Sequence, residues 1–124
     1  MSAKILVVDD SNMIRMQVGR ALKGAGFTVI EAKDGMEALE KLASDADARL
    51  VVCDVNMPRM SGVEFLEAAP RTNGTLNVPV VMLTTEGQPD LVQKAKALGA
   101  KGWIMKPFKP ELLIATAKKL TEAA

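Results

Sequence analysis

Short β-rich apolar runs alternate with segments of helical period along the chain. The runs are Lys4 to Asp9, Thr28 to Ala32, Leu50 to Asp54, Pro79 to Thr84 and Gly102 to Met105. Between them, apolar residues recur at the spacing of one helix face. Over 12–25 that face is Ile14, Val18, Ala21, Leu22 and Ala25, with Gly24 and Gly26 as stop signals. The second helix begins at Asp34 with Glu37 in capping-box register, and its stripe is Ala38, Leu39 and Leu42. The third begins at Ser61 with Glu64, buries Val63, Phe65 and Leu66, and stops before Pro70. Arg71 to Asn77 reads as a loop. The fourth has Pro89 in its first turn, buries Val92, Ala95 and Leu98, and ends at Gly99. The fifth has Pro110 in its first turn and Leu113, Ala117 and Leu120 on one face, with Leu112 beside them.

Strand–helix alternation with short connections predicts a parallel sheet covered by helices on both faces. Ile5 to Val8, Leu50 to Cys53 and Val80 to Leu83 are continuously apolar, so the first, third and fourth strands are central. The shorter or more mixed second and fifth strands suit the edges. The predicted order is 2-1-3-4-5, a doubly wound α/β sheet. No linker or repeat divides the 124 residues, so a single domain over 1–124 with no effector domain is expected.

Composition narrows the chemistry. There is no histidine and one cysteine, which excludes a Ser-His-Asp triad, a His-ligated metal and an intrachain disulfide. A net charge of +1 gives no reason to expect nucleic-acid binding or an electrostatic membrane anchor. No apolar run is long enough to span a bilayer, no signal peptide is readable, and a lone cysteine fits a reducing compartment, so a cytoplasmic location is expected.

Ligands of open α/β sheets bind beyond the carboxyl ends of the strands, where strand order reverses. Asp9 and Asp10 end the first strand, Asp54 the third, Thr84 and Thr85 the fourth, and Lys106 the fifth. Each alone has a bland reading. An Asp at a strand end forms turns or caps helices, Thr84 suits a cap, and Lys106 suits a solvated loop. Cys53 reads as a core residue pointing away from the rim, and Met13, Met16, Met57 and Met60 as gap fillers. Their coincidence at one rim is what capping does not explain. Three clustered carboxylates must be neutralised by protons or a cation, and without His or clustered Cys the fitting cation is a hard one, Mg²⁺ by preference. An Asp beside such a cation and a lysine is poised to attack phosphorus and carry the phosphoryl group as an acyl phosphate.

The strings Val7-Val8-Asp9-Asp10-Ser11, Cys53-Asp54-Val55-Asn56-Met57-Pro58-Arg59-Met60-Ser61-Gly62, Leu83-Thr84-Thr85-Glu86 and Lys106-Pro107-Phe108 resemble the receiver domain of two-component response regulators. Stand-alone chemotaxis receivers are the most similar branch. The resemblance runs from Lys4 to Leu120 and implies the flavodoxin-like fold with the strand order given above. It implies that Asp54 accepts a phosphoryl group from a sensor histidine kinase. Mg²⁺ would be bound by Asp10 and Asp54, by the backbone carbonyl of Asn56, and through water by Asp9. Lys106 would pair with the phosphoryl oxygens and Thr84 would move to hydrogen-bond one of them. Trp103 would be the switch aromatic, turning inward on phosphorylation, and Lys106-Pro107 would be a cis peptide. Asn56, Thr85 and Glu86 would tune the phosphoryl lifetime. The face of the fourth helix, fifth strand and fifth helix would dock a target protein, with the flagellar motor switch the first candidate, and a phosphatase is a further partner.

Two positions depart from the family pattern. Trp103 is bulkier than the usual Tyr or Phe, which works against the inward rotamer. Thr85 stands where Ala or Gly is common and would crowd the phosphoryl group. A relay intermediate or phosphate sink is the alternative within this class. An aspartate-nucleophile phosphatase would place a general acid two residues after Asp54, where this chain has Asn56. A flavin carrier is disfavoured by Asp9 and Asp10, and a phosphate-independent scaffold leaves the intact rim unexplained.

Overall fold

The computed structural model describes residues 3–45, 47–55, 57, 59–84 and 89–122. The strands are β1 (Lys4–Val8), β2 (Thr28–Ala32), β3 (Ala48–Asp54), β4 (Arg71–Thr72), β5 (Thr75–Leu76), β6 (Val80–Thr84) and β7 (Gly102–Met105). The helices are α1 (Asn12–Gly24), α2 (Gly35–Ser44), α3 (Gly62–Ala68), α4 (Pro89–Ala97) and α5 (Pro110–Glu122). The main sheet is parallel, in the order β2-β1-β3-β6-β7. This is the predicted order, with β6 and β7 as the expected fourth and fifth strands.

The loop expected over 71–77 is the one element misread. Arg71 and Thr72 pair antiparallel with Leu76 and Thr75 in a small hairpin. Its two turn residues, Asn73 and Gly74, both have positive φ (54° and 79°). Asn-Gly is the pair that tolerates such a turn, and the turn's twist matches that of the strands it joins. Apolar periodicity could not show the hairpin, because its strands have two residues each.

The central strands are apolar throughout because both faces are covered, and their alternation sorts the core into two layers. Ile5, Val7, Leu50, Val52, Val81 and Leu83 pack with Val18 and Leu22 of α1 and with Leu113 and Ala117 of α5. Leu6, Val8, Val51, Cys53, Val80 and Met82 pack with Ala38 of α2, Phe65 and Leu66 of α3 and Ala95 of α4. Cys53 is buried as expected, and burial pushes its thiol pKa far up.

The caps follow the sequence. Ser11 caps α1 by accepting from Ile14 N, Asp34 caps α2 by accepting from Glu37 N, and Ser61 with Glu64 forms the full capping box of α3. Met57 and Met60 pack against the core, whereas Met13 and Met16 are exposed on α1 and fill no gap. Val92 and Leu98 are half-buried rather than buried, and Leu112 is exposed. Among the described residues, no helix is long and apolar enough to cross a membrane.

Candidate functional site

The parallel sheet brings the carboxyl ends of β1, β3, β6 and β7 to one rim. Along β1, Asp9 follows the parity of Ile5 and Val7, and along β3, Asp54 follows that of Leu50 and Val52. Asp9 is buried, Asp54 is 6% exposed, and Asp10 is exposed to solvent. One carboxylate oxygen from each of Asp9, Asp10 and Asp54 lies within 4.8 Å of the others. Lys106, just past β7, reaches back across the rim. Its Nζ donates to Asp9 Oδ2 at 2.9 Å and stands 3.3 Å from Asp54 Oδ1. Thr84 ends β6, is buried, and its carbonyl accepts from Lys106 N at 2.6 Å. The structure therefore brings together Asp9, Asp10, Asp54, Lys106 and the end of β6. Asn56, Thr85 and Glu86 lie outside the described residues.

Asp9 is held from several sides. Its Oδ1 accepts from Ser11 N at 2.9 Å, its backbone N donates to Ala32 O, and its carbonyl accepts from Arg15 Nη1 at 2.5 Å. Burial works against the charge of Lys106, but its hydrogen bond to Asp9 and the charge of Asp54 outweigh that, so its pKa stands above the usual lysine value. Among the described residues, three carboxyl groups and one ammonium thus meet at this rim. Its donors are all carboxylate oxygens, so the cluster suits a hard metal ion, and the residues present fit one.

Trp103 lies on β7 on the α4 side of the sheet, packed against the layer that contains Ala95. It is half-buried in the unmodified chain, and its Nε1 is enclosed without a hydrogen-bond partner among the described residues. The Lys106-Pro107 peptide is cis.

Reasoning from sequence missed three supports of the rim. Arg15 fixes the Asp9 backbone, and its signal was a cation in the first turn of a helix, where the macrodipole disfavours one. Gly62 is forced by close approach, because a Cβ there would collide with the Asp54 carbonyl oxygen and come within 2.7 Å of Met82 Cε. Arg59 has φ of 63° and pairs with Asp34.

Residues 5–118 match the sequence model of a family described as the response regulator receiver domain. The chain is 39% identical over 111 residues to chemotaxis protein CheY1 of Helicobacter pylori, covering 89% of this chain and 90% of that protein. It is 36% identical over 120 residues to chemotaxis protein CheY of Pseudomonas aeruginosa, covering 96% of each. The high-resolution structure of the chemotaxis response regulator CheY4 of Vibrio cholerae superposes with a TM-score of 0.85 at 45% identity, covering 97% of this chain and 99% of that one.

Proposed function

Since the chain belongs to the response regulator receiver family, we propose that it is a phosphorylation-controlled switch whose acceptor is Asp54 and whose donor is a phosphohistidine on a sensor histidine kinase. The observation that carries this reading is the meeting of Asp9, Asp10 and Asp54 with the Lys106 ammonium at one rim. A carboxylate oxygen of Asp54 attacks phosphorus. The P–O bond forms as the donor's P–N bond breaks, and the imidazole keeps the bonding pair. Asp9, Asp10 and Asp54 would hold Mg²⁺, with the backbone carbonyl of Asn56 as a further ligand. When bound, Mg²⁺ supplies positive charge against the charge that grows on the phosphoryl oxygens. Lys106 already touches both Asp9 and Asp54, so it can follow the new charge with a small shift of Nζ. The Thr84 hydroxyl, at the end of the neighbouring strand, is the donor for a phosphoryl oxygen. Asn56, Thr85 and Glu86 are proposed to set how fast water removes the group.

The readout is a protein–protein contact. On the α4–β7–α5 side, Met105 and Leu112 are large apolar side chains left about half exposed, which suits docking of a target. The chemotaxis relatives favour a flagellar-motor target over a relay or phosphate sink. On this reading the chain acts in the cytoplasm as a single receiver domain over 1–124.

Intact-mass analysis with acetyl phosphate tests the chemistry. The expected result is one added phosphoryl group with Mg²⁺, and none in chelator or in Asp10→Ala. Addition that ignores both the chelator and the variant would overturn the reading.

A further inference from the structure

The segment that follows Asp54 is tied to the segment that supports Asp9, and the tie is an ion pair. Arg59 Nη2 lies 2.7 Å from Asp34 Oδ2, and Arg59 Nε donates to the same oxygen at 2.9 Å. Asp34 is buried, and its other oxygen accepts from Glu37 N as the cap of α2. Two residues before it, Ala32 O accepts from Asp9 N. The contact continues at the next residue of each segment. Gly35 N donates to Met60 O at 3.4 Å, and a Cβ at Gly35 would lie 2.6 Å from Met60 Cγ, so the methionine lies directly on the glycine. At its other end the β3–α3 segment is closed by Gly62 N donating to Val55 O. Arg59 holds a left-handed φ that a non-glycine residue adopts only when its surroundings over-determine it. Its side chain is 56% exposed, so the guanidinium is not held there by burial. Among the described residues, the ion pair and the Met60–Gly35 contact hold this stretch in place.

From this geometry we propose that Asp34 and Arg59 are positioning residues for the metal site. Their pair clamps the β3–α3 segment against the start of α2, so that the rim stays closed around three mutually repelling carboxylates before a cation arrives. The proposal rests on the reading of Asp9, Asp10 and Asp54 as a Mg²⁺ site. Preorganisation of this kind is read as affinity, because a rim that must close on binding spends part of the binding energy on closing.

The test is calorimetric titration of Mg²⁺ into the full chain, as wild type, Asp34→Asn, Arg59→Gly and the double variant. Asparagine keeps the cap oxygen of α2 but turns an amide donor toward the guanidinium. Glycine removes the guanidinium and accepts the left-handed φ without strain, so neither variant need unfold. Both single variants are expected to weaken Mg²⁺ binding by about threefold to tenfold, less than the loss usual for a group that touches a metal ligand directly. The double variant should be no weaker than the singles, because the pair acts as one unit. A purely electrostatic effect would have opposite signs, since Arg59→Gly removes a positive charge near a cation site and Asp34→Asn a negative one. Affinities that move in opposite directions, or do not move, overturn the clamp. A wild type that binds no Mg²⁺ overturns the proposed function and the clamp with it.

Discussion

The ammonium of Lys106 makes its shorter contact with Asp9 rather than with Asp54: Nζ lies 2.9 Å from Asp9 Oδ2 and 3.3 Å from Asp54 Oδ1. Lys106 is thus the internal counter-ion of two buried carboxylates. Removing one partner of a buried pair leaves uncompensated charge and commonly costs about 3–5 kcal/mol, and partial solvent access with protonation of the carboxylates brings the expectation for Lys106→Met to about 2 kcal/mol. Asp10 is exposed and adds repulsion, so Asp10→Ala should melt no lower than wild type in chelator. Urea titrations of the two variants check the contrast, and Mg²⁺ should restore part of the loss in Lys106→Met by replacing the missing cation. The Lys106 pKa is raised in the folded chain. Its contribution is therefore complete below the unfolded-chain lysine value, about 10.4, and is lost as pH rises through the higher folded value. The part of the gap between wild type and Lys106→Met that comes from the raised Lys106 pKa should persist through neutral pH and be lost only in strong base.

Gly62→Ala tests how closely α3 approaches the acceptor strand. The added methyl would strike the Asp54 carbonyl oxygen, and a backbone atom cannot move aside as a flexible side chain can. Overpacking should cost about 1–3 kcal/mol despite alanine's better helix propensity. The urea midpoint reads it, and an unchanged midpoint would mean that α3 can shift freely.

Arg71 joins two helix ends on the side of the sheet away from the rim. It donates to Leu66 O at 2.7 Å in the last turn of α3, to Ala69 O at 3.3 Å just after that helix, and to Leu98 O at 2.6 Å just after α4. These carbonyls have no intrahelical donor, and charged donors to such groups are worth about 1.5–3 kcal/mol each. Arg71→Ala should therefore lower stability by about 2 kcal/mol in urea titration. Arg71→Lys should recover only part, since one ammonium cannot span both helix ends.

Among the described residues, the enclosed indole N–H of Trp103 has no hydrogen-bond partner. Leaving such a donor unsatisfied costs about 1–3 kcal/mol, which offsets much of what the ring's burial contributes. Trp103→Phe removes the donor with part of the ring, and its unfolding free energy should stay within about 1 kcal/mol of wild type. A loss well beyond that would show that the indole is satisfied in solution.

Much of this molecule was legible in its residues, and for identifiable reasons. Ile5 to Val8, Leu50 to Cys53 and Val80 to Leu83 are apolar without alternation, which doubly covered strands require, so the central strands could be told from the edges, and the order itself is what the family resemblance implies. Asp9, Asp10, Asp54 and Lys106 stand at strand ends, and parallel topology brings strand ends together wherever they fall in the chain. The 71–76 hairpin was missed even though Asn73-Gly74 announced it, because two-residue strands carry no readable period. The Asp34–Arg59 pair lay beyond reach for a different cause. It depends on the left-handed backbone at Arg59, and nothing in an arginine's own preferences points to that conformation. The exposure of Met13 and Met16 was legible, because both lie off the face of α1 that carries Ile14, Val18, Ala21 and Leu22, and reading them as gap fillers set that periodicity aside.

The central claim is that Asp54 carries the phosphoryl group, and borohydride reduction with peptide mapping tests it most directly. An aspartyl phosphate is an acyl phosphate, so hydride reduces it to the alcohol, homoserine, while free carboxylates do not react. Chain treated with acetyl phosphate and Mg²⁺, then reduced and digested, should contain homoserine at Asp54, with Asp9 and Asp10 intact. Homoserine at Asp9 or Asp10, or none at any position in protein that has gained the mass of a phosphoryl group, would contradict the account.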